Sequence, residues 1–240
     1  MLDFDGTLSP IVRRPQEAYL PARTKKLLRQ CAKCFPTAVV TGRELSWIKK
    51  TVGLNDLIYS GSHGFEWEIY QNSGKKTVSD NFYKSLNRVK TELVGLTKNY
   101  KGAFVEEKRF SLCLHYRNVS PSRIKLFFNQ LKPKLAKLKT LKDLKIHPGK
   151  KMFEFKPNLN WHKGKICRML LGQIKKAAKK PLLPFYLGDD TTDEDAFAFL
   201  KNGITVKIGP PDKKSFARYY LPRQKQIDEF LKLLLKTACQ

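Results

Sequence analysis

Two carboxylates, Asp3 and Asp5, stand one residue apart at the end of the apolar run that opens the chain, Met1-Leu2-Asp3-Phe4-Asp5-Gly6-Thr7-Leu8. Alternate side chains of an extended strand share a face, so both acids point to one side. Like charges at the end of a buried strand repel each other and resist desolvation, and the pair therefore calls for a cation or a chemical task. Gly6 permits a sharp turn, and Thr7 can cap or hydrogen-bond the residues after it. A strand followed by a plain Asp-Gly turn fits the same residues, and the rest of the chain decides. Only Met1 and Leu2 precede the pair. A first strand ordinarily has more apolar residues before its functional end, so upstream residues are expected, and Asp3 sits where fraying is greatest.

A loop carrying Pro10, Pro15 and Pro21 comes next, then an amphipathic helix over 22–33 with Leu27, Leu28 and Cys31 inward. A short buried strand ends in Thr41-Gly42-Arg43, a helix covers 44–52 and a strand 57–60. Gly61-Ser62-His63-Gly64 and a hairpin over 65–70 come after it. Alternating strands and helices predict an α/β core with a parallel, Rossmann-like sheet, on which ligands bind beyond the carboxyl ends of the strands. Asp5, Thr41 and Ser60 all fall there. The rhythm then changes to helix 79–99, strands 103–107 and 110–117, helix 120–136, and strands 144–147 and 152–156. This predicts an inserted αββαββ cap over 76–156, between core segments 1–75 and 157–240. The first rhythm resumes with a helix over 163–178 and a strand over 183–187 that runs into Gly188-Asp189-Asp190. Thr191-Thr192-Asp193-Glu194 has the capping-box pattern of a helix start, and a strand over 204–208 and a helix over 224–238 close the chain.

An apolar fraction of 41% and an aromatic fraction of 11% exclude a disordered chain. No stretch reaches the roughly 20 apolar residues of a membrane span, so no membrane partner is expected. The five cysteines are odd in number and scattered, which points to a reducing compartment, the cytoplasm, or another intracellular one if a targeting segment lies upstream. Cys31 and Cys34 have C-x-x-C spacing, but with no second pair or nearby histidine they read as helix packing. The net charge is +26, and residues 121–180 hold 18 Lys or Arg against two acids, Asp143 and Glu154. Such a field attracts phosphorylated substrates, nucleic acid or acidic partners. The basic residues lack the aromatic interleaving of a nucleic-acid platform, so a solvated basic face is the expectation.

Hydrolysis of a phosphate monoester needs a nucleophile, neutralised phosphoryl oxygens and a proton for the leaving alkoxide. Asp3 would attack phosphorus and form an aspartyl phosphate, and Asp5 would protonate the leaving oxygen and later deprotonate water. Thr41 and Lys163 could donate to the phosphoryl group, and Asp189, with Asp190 and Asp193 behind it, would complete a carboxylate site for Mg²⁺. Each has a plainer structural role: a strand-end threonine, one lysine among many, acids that favour a helix N-terminus. Their order and placement at strand or helix ends join them into one constellation.

The segments 2–12 (LDFDGTLSPIV), 34–43 (CFPTAVVTGR), 59–64 (YSGSHG), 105–117 (VEEKRFSLCLHYR), 160–165 (NWHKGK) and 186–197 (YLGDDTTDEDAF) closely resemble trehalose-6-phosphate phosphatases. These belong to the haloacid-dehalogenase-like superfamily, and the wording is nearest to the plant enzymes. The resemblance implies a Rossmann-like core, a mobile cap whose closure excludes water, Mg²⁺ dependence, and hydrolysis of trehalose 6-phosphate to trehalose and phosphate. It assigns Asp3 as nucleophile, Asp5 as acid/base, Thr41 and Lys163 as phosphate ligands, and Asp3, the Asp5 carbonyl and Asp189 as metal ligands. Gly42, Arg43, His63, Gly64, Glu106, Lys108, His115, Arg117 and Glu154 would lie on the sugar-phosphate side. His162 departs from the family's usual Asp, Thr191 from its usual Arg, and Arg13-Arg14 from an acidic pair. The core motifs also fit a phosphatase for another sugar phosphate, such as sucrose 6-phosphate, because substrate choice lives in the cap. A catalytically weak, basic regulatory or nucleic-acid-binding protein is the reading from a different class.

Overall fold

The computed structural model describes residues 1–70, 72–149, 151–178 and 181–238. In chain order the elements begin with α1 (Ala22–Cys34), β1 (Ala38–Val40), α2 (Leu45–Val52), β2 (Ile58–Gly61), β3 (Glu66–Ile69) and β4 (Asn72–Lys75). The middle comprises α3 (Asp80–Thr97), β5 (Phe104–Lys108), β6 (Ser111–His115), α4 (Pro121–Leu138), β7 (Leu144–Gly149) and β8 (Met152–Pro157). The last part comprises α5 (Lys163–Ala178), β9 (Phe185–Gly188), α6 (Thr191–Phe199), β10 (Ile204–Ile208), β11 (Tyr219–Leu221) and α7 (Ile227–Ala238). Among the described residues no helix is long and apolar enough to cross a membrane.

The chain divides into two compact units, residues 1–76 with 161–240, and residues 77–160. In the first, β1 and β2 pair in parallel, β3 and β4 extend the edge as an antiparallel hairpin, and β9, β10 and β11 are parallel. The opening residues join the two halves. Leu2 bridges Val39 of β1 on one side and Leu187 of β9 on the other. Its N–H donates to the Ala38 carbonyl at 2.8 Å, and the Asp3 N–H donates to the Leu187 carbonyl at 2.9 Å. The expected opening strand is thus a single bridged residue, because the chain already turns at Asp5, where the Gly6 N–H donates to the Ser9 carbonyl.

Strand alternation distributes the core over both faces of this sheet. Leu2, Val39, Tyr59, Leu187 and Val206 pack with Leu28, Ile48 and Leu231 from α1, α2 and α7. Ala38, Val40, Ile58 and Tyr186 pack on the opposite face with Ile166, Leu170 and Phe197 from α5 and α6. The result is the three-layer, doubly wound architecture expected of a strand–helix alternation. Two local expectations need correction, and one element was not foreseen. The hairpin lies at β3 and β4 rather than over 65–70. The last helix starts at Ile227, because Gln224–Gln226 forms a 3-10 turn whose Gln226 Oε1 accepts from the Arg223 N–H. β11 lacked an alternating pattern and forms as an edge strand by pairing with β10.

The second unit is an αββαββ layer pair. Its antiparallel sheet has the order β5-β6-β8-β7. Leu112, Leu114 and Phe155 on one face pack against Phe82, Val89 and Leu93 of α3 and Phe127 and Leu131 of α4. The other face carries polar side chains at the alternate positions of the same strands. The unit runs from Thr77 to Asn160, and β8 ends within it at Pro157.

Candidate active site

Asp3 lies at the carboxyl end of the opening bridge, with Phe4 behind it buried against Trp47, ring centroids 5.7 Å apart. Its Oδ1 accepts from Lys163 Nζ at 2.6 Å. Lys163 is the first residue of α5, so the helix start delivers the ammonium to the strand end. That ammonium also donates to Asp193 Oδ1 at 2.8 Å, and Tyr186 Oη donates to the same oxygen at 2.6 Å. The Asp189 and Asp190 N–H groups donate to Asp193 Oδ2, at 3.1 and 3.0 Å. Asp193 is thereby fully engaged as the holder of Lys163 and of the loop that begins α6.

Burial would by itself depress Lys163, but the Asp193 and Asp3 carboxylates outweigh it and raise its pKa. Burial pushes Asp3 well above the carboxylate range, opposed by Lys163 and reinforced by Asp193 and Asp189. Burial raises Asp189 to about 7, with the Asp193 and Asp190 charges adding to the effect. Asp189 Oδ1 is buried and has no hydrogen-bond partner among the described residues. Oxygens of Asp3, Asp189 and Asp193 all lie within 4.8 Å of one another. Two buried carboxylates and a half-buried one facing one ammonium suit a hard divalent cation, with Asp3 and Asp189 as the ligands not already saturated by donors.

Asp5 is held differently. Arg43 Nε and Nη2 fork onto its two oxygens at 2.8 and 2.6 Å, Nη1 donates to the Pro15 carbonyl at 2.7 Å, and the guanidinium lies 4.5 Å from the Trp47 ring centroid. Thr41 is buried, and its Oγ1 accepts from the Arg43 N–H at 3.1 Å, leaving its hydroxyl proton to donate elsewhere. His63 adopts left-handed backbone (φ 55°) in the turn after β2, and its ring packs on Gly42, where a Cβ would lie 2.6 Å from its Cε1. Any side chain at 42 would expel the imidazole. Trp161 Nε1 donates to the Gly64 carbonyl at 2.8 Å. Gly6 adopts φ 78°, and a Cβ there would overlap the Asp189 carboxylate.

The structure thus brings Asp3, Lys163, Asp189 and Asp193 into contact in the first unit and pairs Asp5 with Arg43. Asp190 instead caps α6, its Oδ1 accepting from the Thr191 N–H at 2.7 Å. His162 immediately precedes α5, with Nδ1 3.6 Å from Asp195 Oδ2, and Arg13 is exposed. Glu106, Lys108, His115 and Glu154 lie on the polar sheet face of the second unit, with His115 Nε2 2.7 Å from Glu106 Oε2 and Ser111 Oγ donating to Glu154 Oε1 at 2.9 Å. Arg117 comes two residues after β6 ends. The residue that sequence reasoning missed is Tyr186. A tyrosine inside a buried strand needs a partner for its hydroxyl, and its position three residues before Asp189 was the available signal.

The doubly wound sheet that carries these residues has the haloacid-dehalogenase-like fold. A solved haloacid dehalogenase-like hydrolase from Bacteroides thetaiotaomicron superposes with a TM-score of 0.65 at 13% identity, covering 97% of each chain. A crystal structure described as a trehalose-6-phosphate phosphatase related protein superposes with a TM-score of 0.82 at 23% identity, covering all of this chain and 97% of that one. The family model for trehalose-phosphatase matches residues 1–225, and the chain belongs to that family. It is 36% identical over 241 residues to the Oryza sativa protein named probable trehalose-phosphate phosphatase 4, and 32% identical over 247 residues to trehalose-phosphate phosphatase B of Arabidopsis thaliana. Each match covers 98% of this chain and 65% of the relative, so the chain spans about two thirds of their length.

Proposed function

We propose that the protein hydrolyses trehalose 6-phosphate to trehalose and phosphate. The observation that carries this is the buried Asp3–Lys163–Asp193 chain beside Asp189, in a member of the trehalose-phosphatase family. An Asp3 oxygen attacks phosphorus, the bond from phosphorus to the sugar oxygen breaks, and Asp5 gives that oxygen a proton. Water then attacks the aspartyl phosphate, Asp5 takes its proton, and Asp3 is released as carboxylate. Lys163 and the Thr41 hydroxyl neutralise the transferring oxygens, and Arg43, now forked onto Asp5, is the guanidinium for which an incoming phosphoryl group competes. Asp3, the Asp5 carbonyl and Asp189 would hold Mg²⁺, which when bound shields the phosphoryl charge from the carboxylates. Gly42, His63 and Gly64 shape the turn beside Arg43, and Glu106, Lys108, His115, Arg117 and Glu154 supply the donors and acceptors that a disaccharide's hydroxyls require.

Phosphate release from a panel of sugar phosphates in Mg²⁺ tests this. Release is expected to be fastest from trehalose 6-phosphate and to drop to background in Asp3→Asn with the melting curve retained. Equal rates on every member of the panel, or a preference for sucrose 6-phosphate, would overturn the substrate assignment.

A further inference from the structure

The strand register of the second unit lines up four metal-ligating side chains in one transverse row. Glu106 of β5 is opposite Cys113 of β6, which is opposite Glu154 of β8, which is opposite His147 of β7. Residues directly opposite one another project to the same face, as does His115, two residues beyond Cys113. The His115 ring stacks on Phe104 with centroids 4.6 Å apart and an interplanar angle of 14°, which fixes the direction of its nitrogens. Nε2 lies 2.7 Å from Glu106 Oε2, and donor atoms of Glu106, Cys113 and His115 all lie within 4.8 Å of one another. Glu154 Oε1, braced by the Ser111 hydroxyl at 2.9 Å, is 3.9 Å from Cys113 Sγ.

We propose that this face binds a zinc-class divalent cation through Cys113, His115 and Glu106, with Glu154 bracing the sulfur. A thiolate, an imidazole and a carboxylate form a donor set that zinc takes in tetrahedral geometry and magnesium does not. Zn–S of about 2.3 Å and Zn–N of about 2.0 Å place ligand atoms roughly 3.3–3.6 Å apart, so the His115–Glu106 pair opens from 2.7 Å while the wider separations, which lie within 4.8 Å, close on the ion. The charge of Lys108 favours the Cys113 thiolate and is the one that an incoming ion displaces. Binding releases the Cys113 thiol proton to solvent and leaves one coordination position for water. Atoms that ligate the ion cannot at the same time meet a sugar hydroxyl, so occupancy opposes substrate binding.

Titration of the full chain with Co²⁺ reads thiolate ligation directly, through the sulfur-to-cobalt charge-transfer band, whether or not the chain hydrolyses trehalose 6-phosphate. One equivalent of thiolate-bound cobalt, displaced by Zn²⁺, is expected. Cys113→Ser should abolish the band and His115→Gln should weaken Zn²⁺ binding at least about tenfold. Lys108→Gln should strengthen it, and Cys34→Ser should leave it unchanged. A band that survives Cys113→Ser, that disappears in Cys34→Ser, or that is absent from both the wild type and Lys108→Gln overturns the proposal. Should Cys113→Ser not fold, His115→Gln and Lys108→Gln, moving affinity in opposite directions, decide it.

Discussion

At the scale of single residues, Asp3 is gripped by a lysine that is itself held by an aspartate. Tyr186 is the outermost link of that chain, and its hydroxyl shares Asp193 Oδ1 with Lys163. Tyr186→Phe removes one donor from a buried carboxylate and loosens the placement of Lys163, not the binding of sugar. Its kcat is expected to fall about tenfold with KM nearly unchanged, the signature of an interaction that matters most in the transition state. Steady-state kinetics check it, and a rise in KM at constant kcat would contradict it. Asp189 yields a second expectation. Its buried Oδ1 has no partner among the described residues, so millimolar Mg²⁺ should raise the melting temperature of the wild type, and a chelator should lower it. Asp189→Asn should show neither shift. The cysteines provide a third. Burial raises Cys31 to about 11 and Cys113 and Cys167 to about 12, while Cys34 is exposed. Thiolate is the reactive form, so at pH 8 alkylation and then peptide mapping should find Cys34 modified well before those three.

At the scale of elements, the five acids from Asp189 to Asp195 divide their tasks. Asp189 faces Asp3, Asp190 caps α6, Asp193 holds Lys163, Glu194 ties down the segment before β11, and Asp195 faces His162. Glu194 accepts from Lys207 Nζ at 3.0 Å, Ser215 Oγ at 2.9 Å and the Phe216 N–H at 2.8 Å, so one motif side chain pins a whole connection. Asp190→Ala should cost about 1 kcal/mol of stability, as the loss of a helix cap ordinarily does, with turnover preserved. Denaturant unfolding and kcat measured together check this, and a collapse of turnover would place Asp190 among the metal ligands instead. The alternation that signals strands and helices was legible where a sheet face packs on helices and leaves a periodic trace. β11 left none, since an edge strand of three residues takes its form from its neighbour. Asp3, Lys163 and Asp189 were legible as a group because each stands where an element begins or ends. Tyr186 was not, because inside a buried strand a tyrosine looks like core until its hydroxyl's partner is seen.

At the scale of the whole molecule, a chain with a net charge of +26 holds a site that is locally acidic. On the proposed function, the basic charge would draw a phosphorylated substrate from solution, and the carboxylates would take a cation before that substrate settles. Raising the ionic strength from about 0.05 to 0.5 M shortens the Debye length from about 14 to about 4 Å and should lower kcat/KM several-fold, mainly through KM. Indifference to salt would show that the surface charge plays no part in capture.

Gly6 has one more consequence. Because its missing Cβ is the space into which Asp189 fits, a single methyl group added there would act at once on a left-handed turn and on the carboxylate opposite. Gly6→Ala is therefore a switch of the smallest chemical size. It should give a protein that keeps its surface charge and its second unit but no longer seats Mg²⁺. Such a variant serves as a decoy that still presents the outer surface to partners while the chemistry is disarmed.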